Sequence, residues 1–66
     1  MRVTFDQEAD ALYVRLDKSH IVETEEVRPG VMLDFDERGE VVGLEVLRAG
    51  ERLSISELKH MDFELL

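Results

Sequence analysis

The stretch "VMLDFDERGEVVGLEVL" (residues 31–47) decides the fold, because apolar residues recur at every second position on both sides of a turn. This period is typical of β-strands that bury one face. The central "DERG" is typical of a hairpin turn, in which Gly39 is free to adopt a positive φ angle. The stretch therefore predicts an antiparallel hairpin. Its buried face would carry Val31, Leu33, Phe35, Val42, Leu44 and Val46.

Residues 34–45 of this stretch also match part of the calcium-loop pattern. The matching residues are Asp34, Asp36, Gly39 and Glu45. However, Arg38 places a cation where that pattern needs a ligand, and strands flank the loop where the pattern needs helices. We therefore interpret the segment as a hairpin turn and predict that it does not bind calcium.

A second stretch, "FDQEADALYVRL" (residues 5–16), aligns with residues 35–46, and Phe-Asp leads both. It predicts a second, similar hairpin. The segment between the hairpins contains β-branched Ile21, Val22 and Thr24 among several glutamates, which suits a short or bulged strand. From the sequence it is open whether residues 19–28 form that strand.

In the C-terminal part, apolar residues no longer recur at every second position. Ser54 and Glu57 have the spacing of a capping box, and Leu53 and Leu58 have that of a hydrophobic staple, so a helix of about two turns is predicted here. The ending "MDFELL" alternates again and suits a final short strand. We therefore expect one α+β domain over residues 1–66: a small antiparallel sheet of two hairpins, with the helix packed on its apolar face.

The composition indicates a small acidic protein. The chain has 66 residues, a net charge of −8 and no cysteine. A domain of this size buries only about 60% of its unfolded surface, so we expect oligomerisation to add stability. The negative charge opposes binding to nucleic acids. We see neither a signal peptide nor an apolar run long enough for a membrane span, and we expect a cytoplasmic protein with no membrane association. Abundant Glu and Arg with no Asn suit a thermophile.

Residues that carry catalysis or bind metals are sparse. The turn "DQEAD" offers the carboxylates of Asp6, Glu8 and Asp10, which suit a divalent cation but lack a nearby His or Asn. His20 and His60 lie far apart in the sequence. The chain has no cysteine, no G-x-S-x-G motif and no Gly-rich phosphate loop. We therefore assign no catalytic, cofactor or metal residue, and keep a small metal-dependent enzyme that uses the acidic turns as an alternative.

The second face of the sheet is the candidate interface, because it is more apolar than a solvated face needs to be. Its predicted contact residues are Tyr13, Arg15, Met32, Val41 and Glu45. Around a two-fold axis, Arg15 would reach Glu45 within or between chains. We therefore expect a non-catalytic protein-interaction module that forms a homodimer or a larger assembly. The acidic surface also suits a small basic protein partner.

The runs "EADALYVRL" and "LDFDERGEVVGLEVL", with the ending "HMDFELL", make the chain resemble an uncharacterised prokaryotic family known as domain of unknown function 2283. The resemblance extends over nearly the whole chain. It implies a small cytosolic β-rich protein without established catalytic residues. Because some relatives look like partners of small toxins, it also implies an antitoxin-like role as an alternative.

Overall fold

The computed structural model describes residues 1–66, which form a five-stranded antiparallel sheet followed by two short helical segments. The elements are β1 (Arg2–Asp6), β2 (Ala11–Arg15), β3 (Glu23–Arg28), β4 (Val31–Phe35), β5 (Val41–Leu47), a 3-10 turn (Ala49–Glu51) and α1 (Ile55–Leu58). The spatial order is β1-β2-β5-β4-β3, so β5 lies at the centre and β1 and β3 are the edges. The protein is mostly β and has one short helix at the C-terminal side of the sheet, which agrees in outline with the predicted α+β class.

Both predicted hairpins are present, as the antiparallel pairs β1–β2 and β4–β5. In the second hairpin the register shifts by one residue between Asp34 and Phe35, so that Val41 is paired with Phe35. Cross-strand partners share a face of the sheet. The bulge therefore places Val41 on the apolar side with Phe35, whereas strict alternation had predicted the opposite side.

Part of the uncertain segment between the hairpins forms the edge strand β3, which is antiparallel to β4 and bulged between Glu26 and Arg28. Pro29 and Gly30 connect the two strands. Gly30 has a φ of 79°, and its carbonyl accepts the Leu47 N–H at 2.7 Å. The segment is therefore a strand over its second half, even though its residues are mostly acidic and exposed.

The helix begins as predicted but ends early. The Ser54 hydroxyl accepts the Glu57 N–H at 3.2 Å, which confirms the cap, and α1 then runs for only four residues. No strand forms over residues 59–66, so the expectation of a final strand is wrong. Alternation in a sequence produces a strand only where a sheet edge supplies ladder partners, and this segment pairs with neither edge.

The two hairpin turns use their first aspartate in the same way. Asp6 Oδ1 accepts the N–H groups of Glu8 and Ala9, and Asp36 Oδ1 accepts those of Arg38 and Glu40. These are the backbone bonds of Asx-type turns. The two sites differ in burial, because Asp36 is buried whereas Asp6 is exposed.

We expect Asp36→Ala to lower the free energy of unfolding by about 1–3 kcal/mol, because two backbone donors lose an acceptor at a buried site. Asp6→Ala is the matched control. It also removes two backbone bonds to a carboxylate oxygen, but at an exposed turn where water replaces them, and should cost less. Urea unfolding followed by circular dichroism measures both. An equal or larger loss in Asp6→Ala would contradict this view of the turns.

Candidate functional site

The second sheet face brings together most of the predicted interface residues. Tyr13 on β2 is paired with Glu45 on β5, which is paired with Met32 on β4, so these three form one row across the sheet. Arg15 lies in the next row, opposite Gly43. All four predicted residues on this face are half-buried within a single chain. Val41 is the exception, because the bulge turns it toward the apolar side.

A hydrogen-bonded network crosses the second face above Gly43. The Tyr13 hydroxyl donates to Asp34 Oδ2 at 2.7 Å, and the Thr24 hydroxyl donates to Asp34 Oδ1 at 2.6 Å. The two donors come from β2 and β3, and the acceptor comes from β4. Gly43 on β5 lies beneath the first of these bonds, because a Cβ atom there would be 2.5 Å from the Tyr13 oxygen. The network therefore links strands that are not all neighbours.

The pKa of Tyr13 is raised above its ordinary value. Burial of the phenol is the largest cause, followed by the hydrogen bond to the Asp34 carboxylate, and Arg15 opposes both. The neutral phenol is thus the form that the folded protein favours, and it serves as a donor.

Arg15 holds the segment that follows β2. Its Nε donates to the Asp17 carbonyl at 2.6 Å, and its Nη2 donates to the Ser19 carbonyl. The Ser19 N–H donates to the Asp17 carboxylate at 2.8 Å and lowers its pKa. Within the chain Arg15 forms no salt bridge to Glu45, and their pairing between chains stays a prediction.

The acidic turns use carboxylate oxygens for local backbone contacts. Asp10 Oδ1 accepts the Gly50 N–H at 2.9 Å, and the Asp10 carbonyl accepts the Ala49 N–H at 2.9 Å. These bonds attach the 3-10 turn to the first hairpin and bury Ala49. Nowhere do three His, Asp or Glu side chains come together in a group able to hold a metal ion.

One polar cleft brings together residues that sequence reasoning treated separately. It encloses about 290 Å³ and is lined by Ser19, His20, Asp36, Glu37 and Arg38. Asp36 uses one carboxylate oxygen for the turn, and the other lies 3.8 Å from the Arg38 guanidinium. The cleft lacks an apolar wall, and no nucleophile in it is paired with a base.

The apolar face is only partly covered. Val42 is completely buried, but most of the other apolar side chains of this face are half-buried. α1 and the residues after it cover only the end of the sheet near β1 and β2. There they leave a groove of about 350 Å³ whose apolar lining is Val3, Phe5, Leu12, Val14, Leu53, Leu58 and Met61. Farther along, Phe63 and Leu65 are 69% and 88% exposed.

The accessible surface area of the chain is larger than that of a compact protein of the same mass. The chain exposes 5409 Å². A compact protein of 7.6 kDa exposes about 4,300 Å². The chain therefore exposes about 1,100 Å² more than such a protein, and the exposed residues 59–66 and the half-covered apolar face are part of this surface.

Sequence reasoning missed Asp34 as the acceptor of the network, and it missed Thr24 as a donor. One signal was available, because a glycine inside a strand often marks the close approach of another group. Gly43 is such a residue. The identity of the approaching group was not readable, since Tyr13 and Asp34 are distant in the sequence and lie in different rows of the sheet.

A family model described as "Protein of unknown function (DUF2283)" matches residues 2–49. The chain belongs to this family. The match confirms the resemblance over residues 2–49 and spans all five strands of this DUF2283 protein, whereas α1 and the ending "HMDFELL" lie beyond it. Searches of curated proteins and of solved structures found no match. No helix in the structure is both long enough and apolar enough to cross a membrane.

We expect Tyr13 to ionise above the ordinary tyrosine pKa of about 10. Because folding raises this pKa, the protonated phenol stabilises the folded state below pH 10, and this contribution disappears as the pH rises through the folded pKa. Tyr13 is the only tyrosine and there is no tryptophan, so ultraviolet absorbance reports it alone. Asp34→Ala should lower the pKa, whereas Asp62→Ala should leave it unchanged. A pKa at or below the ordinary value in the wild type would contradict the network.

We also expect Gly43→Ala to destabilise the protein by about 1–3 kcal/mol, because the new methyl group overlaps the Tyr13–Asp34 bond. Tyr13→Phe is the control for loss of the Tyr13–Asp34 bond alone, since it removes the hydroxyl without adding a methyl group to β5. In Gly43→Ala the absorbance titration should also move toward the ordinary tyrosine pKa. If Gly43→Ala matches the wild type in urea unfolding, the phenol does not cross β5 as described.

Proposed function

We propose that this protein is a non-catalytic protein-interaction module that self-associates. The incomplete covering of its apolar face is the observation that carries the proposal. A sheet normally buries its apolar face against a second layer of structure. Here the second layer consists of a 3-10 turn, one helical turn and an irregular tail. A second copy of the chain would bury more of the apolar residues that this layer leaves exposed.

The magnitude of the exposed surface supports the same proposal. Stable interfaces bury about 800 Å² on each partner. The excess of about 1,100 Å² over a compact protein of this mass is large enough for one such contact. The chain also lacks cysteine, so no disulfide compensates for a small core.

Of the two sheet faces, the apolar side is favoured as the contact over the side that carries Tyr13, Met32 and Glu45. On the second face Tyr13 and Arg15 already have partners within the chain. On the apolar side the groove beside β1 is lined by side chains that no other residue covers completely, such as Leu58 and Phe5. Desolvation of these groups would stabilise a complex without breaking existing polar bonds.

A small basic partner protein, as in an antitoxin-like role, has one feature in its favour. Edge strand β3 exposes Glu23, Glu25 and Glu26, and with the net charge of −8 it would attract a basic strand. Acidic side chains on an edge also prevent unwanted pairing, which accounts for them without a partner. For this reason self-association is the primary proposal.

We expect the wild type to be a dimer or larger by light scattering at about 100 micromolar and to melt at a temperature that rises with protein concentration. Leu58 lines the groove, and Leu58→Lys should weaken association because it places a charge among the apolar side chains there. Ser56→Lys on the same helix and Met32→Lys on the second face are the controls and should retain it. A wild-type monomer at this concentration would overturn the proposal. Loss of association in Met32→Lys alone would return the interface to the second face.

A further inference from the structure

Edge strand β1 suits the proposed self-association in one specific arrangement of the two chains. We propose that β1 pairs antiparallel with β1 of a second copy around a two-fold axis at Thr4, which joins two five-stranded sheets into one. This inference rests on the proposed function, since it names the partner and the contact of that same association. Three features of the strand carry it: free backbone groups, a self-complementary sequence and its position beside the groove.

The free backbone groups follow from the hydrogen-bond pattern of the sheet. The Leu16 N–H donates to the Val42 carbonyl at 2.8 Å, so the even-numbered residues of β2 direct their backbone groups toward β5. By alternation, the odd-numbered residues of β2 direct theirs toward β1. Tyr13 is paired with Thr4, so Thr4 bonds inward, and the N–H and C=O groups of Val3 and Phe5 point outward. No other part of the chain bonds to these outward groups.

The sequence of β1, "RVTFD", is complementary to itself in this register. With Thr4 opposite Thr4 of the second copy, Val3 is opposite Phe5, and their outward backbone groups form a hydrogen-bonded pair on each side of the axis. Arg2 is then opposite Asp6. Within its own chain Arg2 is paired with Arg15, a like charge, and forms no salt bridge. The second copy would supply the missing carboxylate.

The other edge is unsuitable for the same contact. β3 contains a bulge and exposes three glutamates, so two copies of it would bring like charges together. β1 has a regular register over all five of its residues. The groove that contains Val3 and Phe5 also lies beside β1, on the apolar side. A two-fold axis perpendicular to the sheet keeps both apolar faces on one side. The two grooves would therefore lie next to each other, and Val3 and Phe5 of each copy would pack against those of the other across the joined edge.

Thr4→Cys tests the register directly, because the chain has no other cysteine. In the proposed dimer the two Thr4 positions form a pair without hydrogen bonds, whose Cα atoms lie about 4.5 Å apart and within the range of a disulfide. We expect mild oxidation to convert most of the protein to a linked dimer on a non-reducing gel. Glu25→Cys, at the centre of edge β3, is the matched control and should link only slowly.

Val3→Pro provides a second variant. The Val3 N–H points outward, so proline should be tolerated in the monomer, but it removes one donor from each chain of the dimer. Association should weaken at least about tenfold while circular dichroism stays that of the folded protein. If the wild type self-associates but Thr4→Cys links no faster than Glu25→Cys, the β1 contact is overturned and the proposed function stands. A monomeric wild type overturns both.

Discussion

The need of a β-sheet for a second layer is the constraint on which the rest of this structure depends. Five short strands produce one apolar face, and α1 and the residues after it leave part of this face half-covered. Val42 lies completely buried beside the second bulge, whereas the apolar residues nearer the edges stay half-covered. The self-association that we propose would bury these half-covered residues further.

The second face of the sheet contributes by fixing the register of the strands. A polar face that is open to water gives a sheet little resistance to sliding or fraying of its strands. Here the bonds from Tyr13 and Thr24 to Asp34 join β2, β3 and β4 above the glycine of the central strand. Each bond fixes a register that backbone pairing alone leaves to the turns. The same bonds engage polar groups of the second face within the chain, which is one reason why we place the proposed contact on the apolar side.

The acidic residues show how one composition can suggest several functions. The turn that imitates a calcium loop uses Asp36 to accept backbone N–H groups, and Asp10 attaches the 3-10 turn to the first hairpin. Carboxylates that accept backbone N–H groups stabilise turns, and few of their oxygen atoms face one another. The DUF2283 match spans the five-stranded sheet and the start of the 3-10 turn, the part of the chain that contains these carboxylates.

The sequence by itself determined the elements that depend on local chemistry: period-two alternation, the turn around Gly39 and the cap at Ser54 appear where they were predicted. Tertiary structure decided whatever depends on a partner distant in the chain. The bulge turned Val41 to the apolar side, β4 made the acidic segment into a strand, and residues 59–66 found no edge to pair with. Turns and caps bond within a few residues, so their signals are local. Strand pairing and the Tyr13–Asp34 bond join residues whose proximity exists only after the sheet has formed.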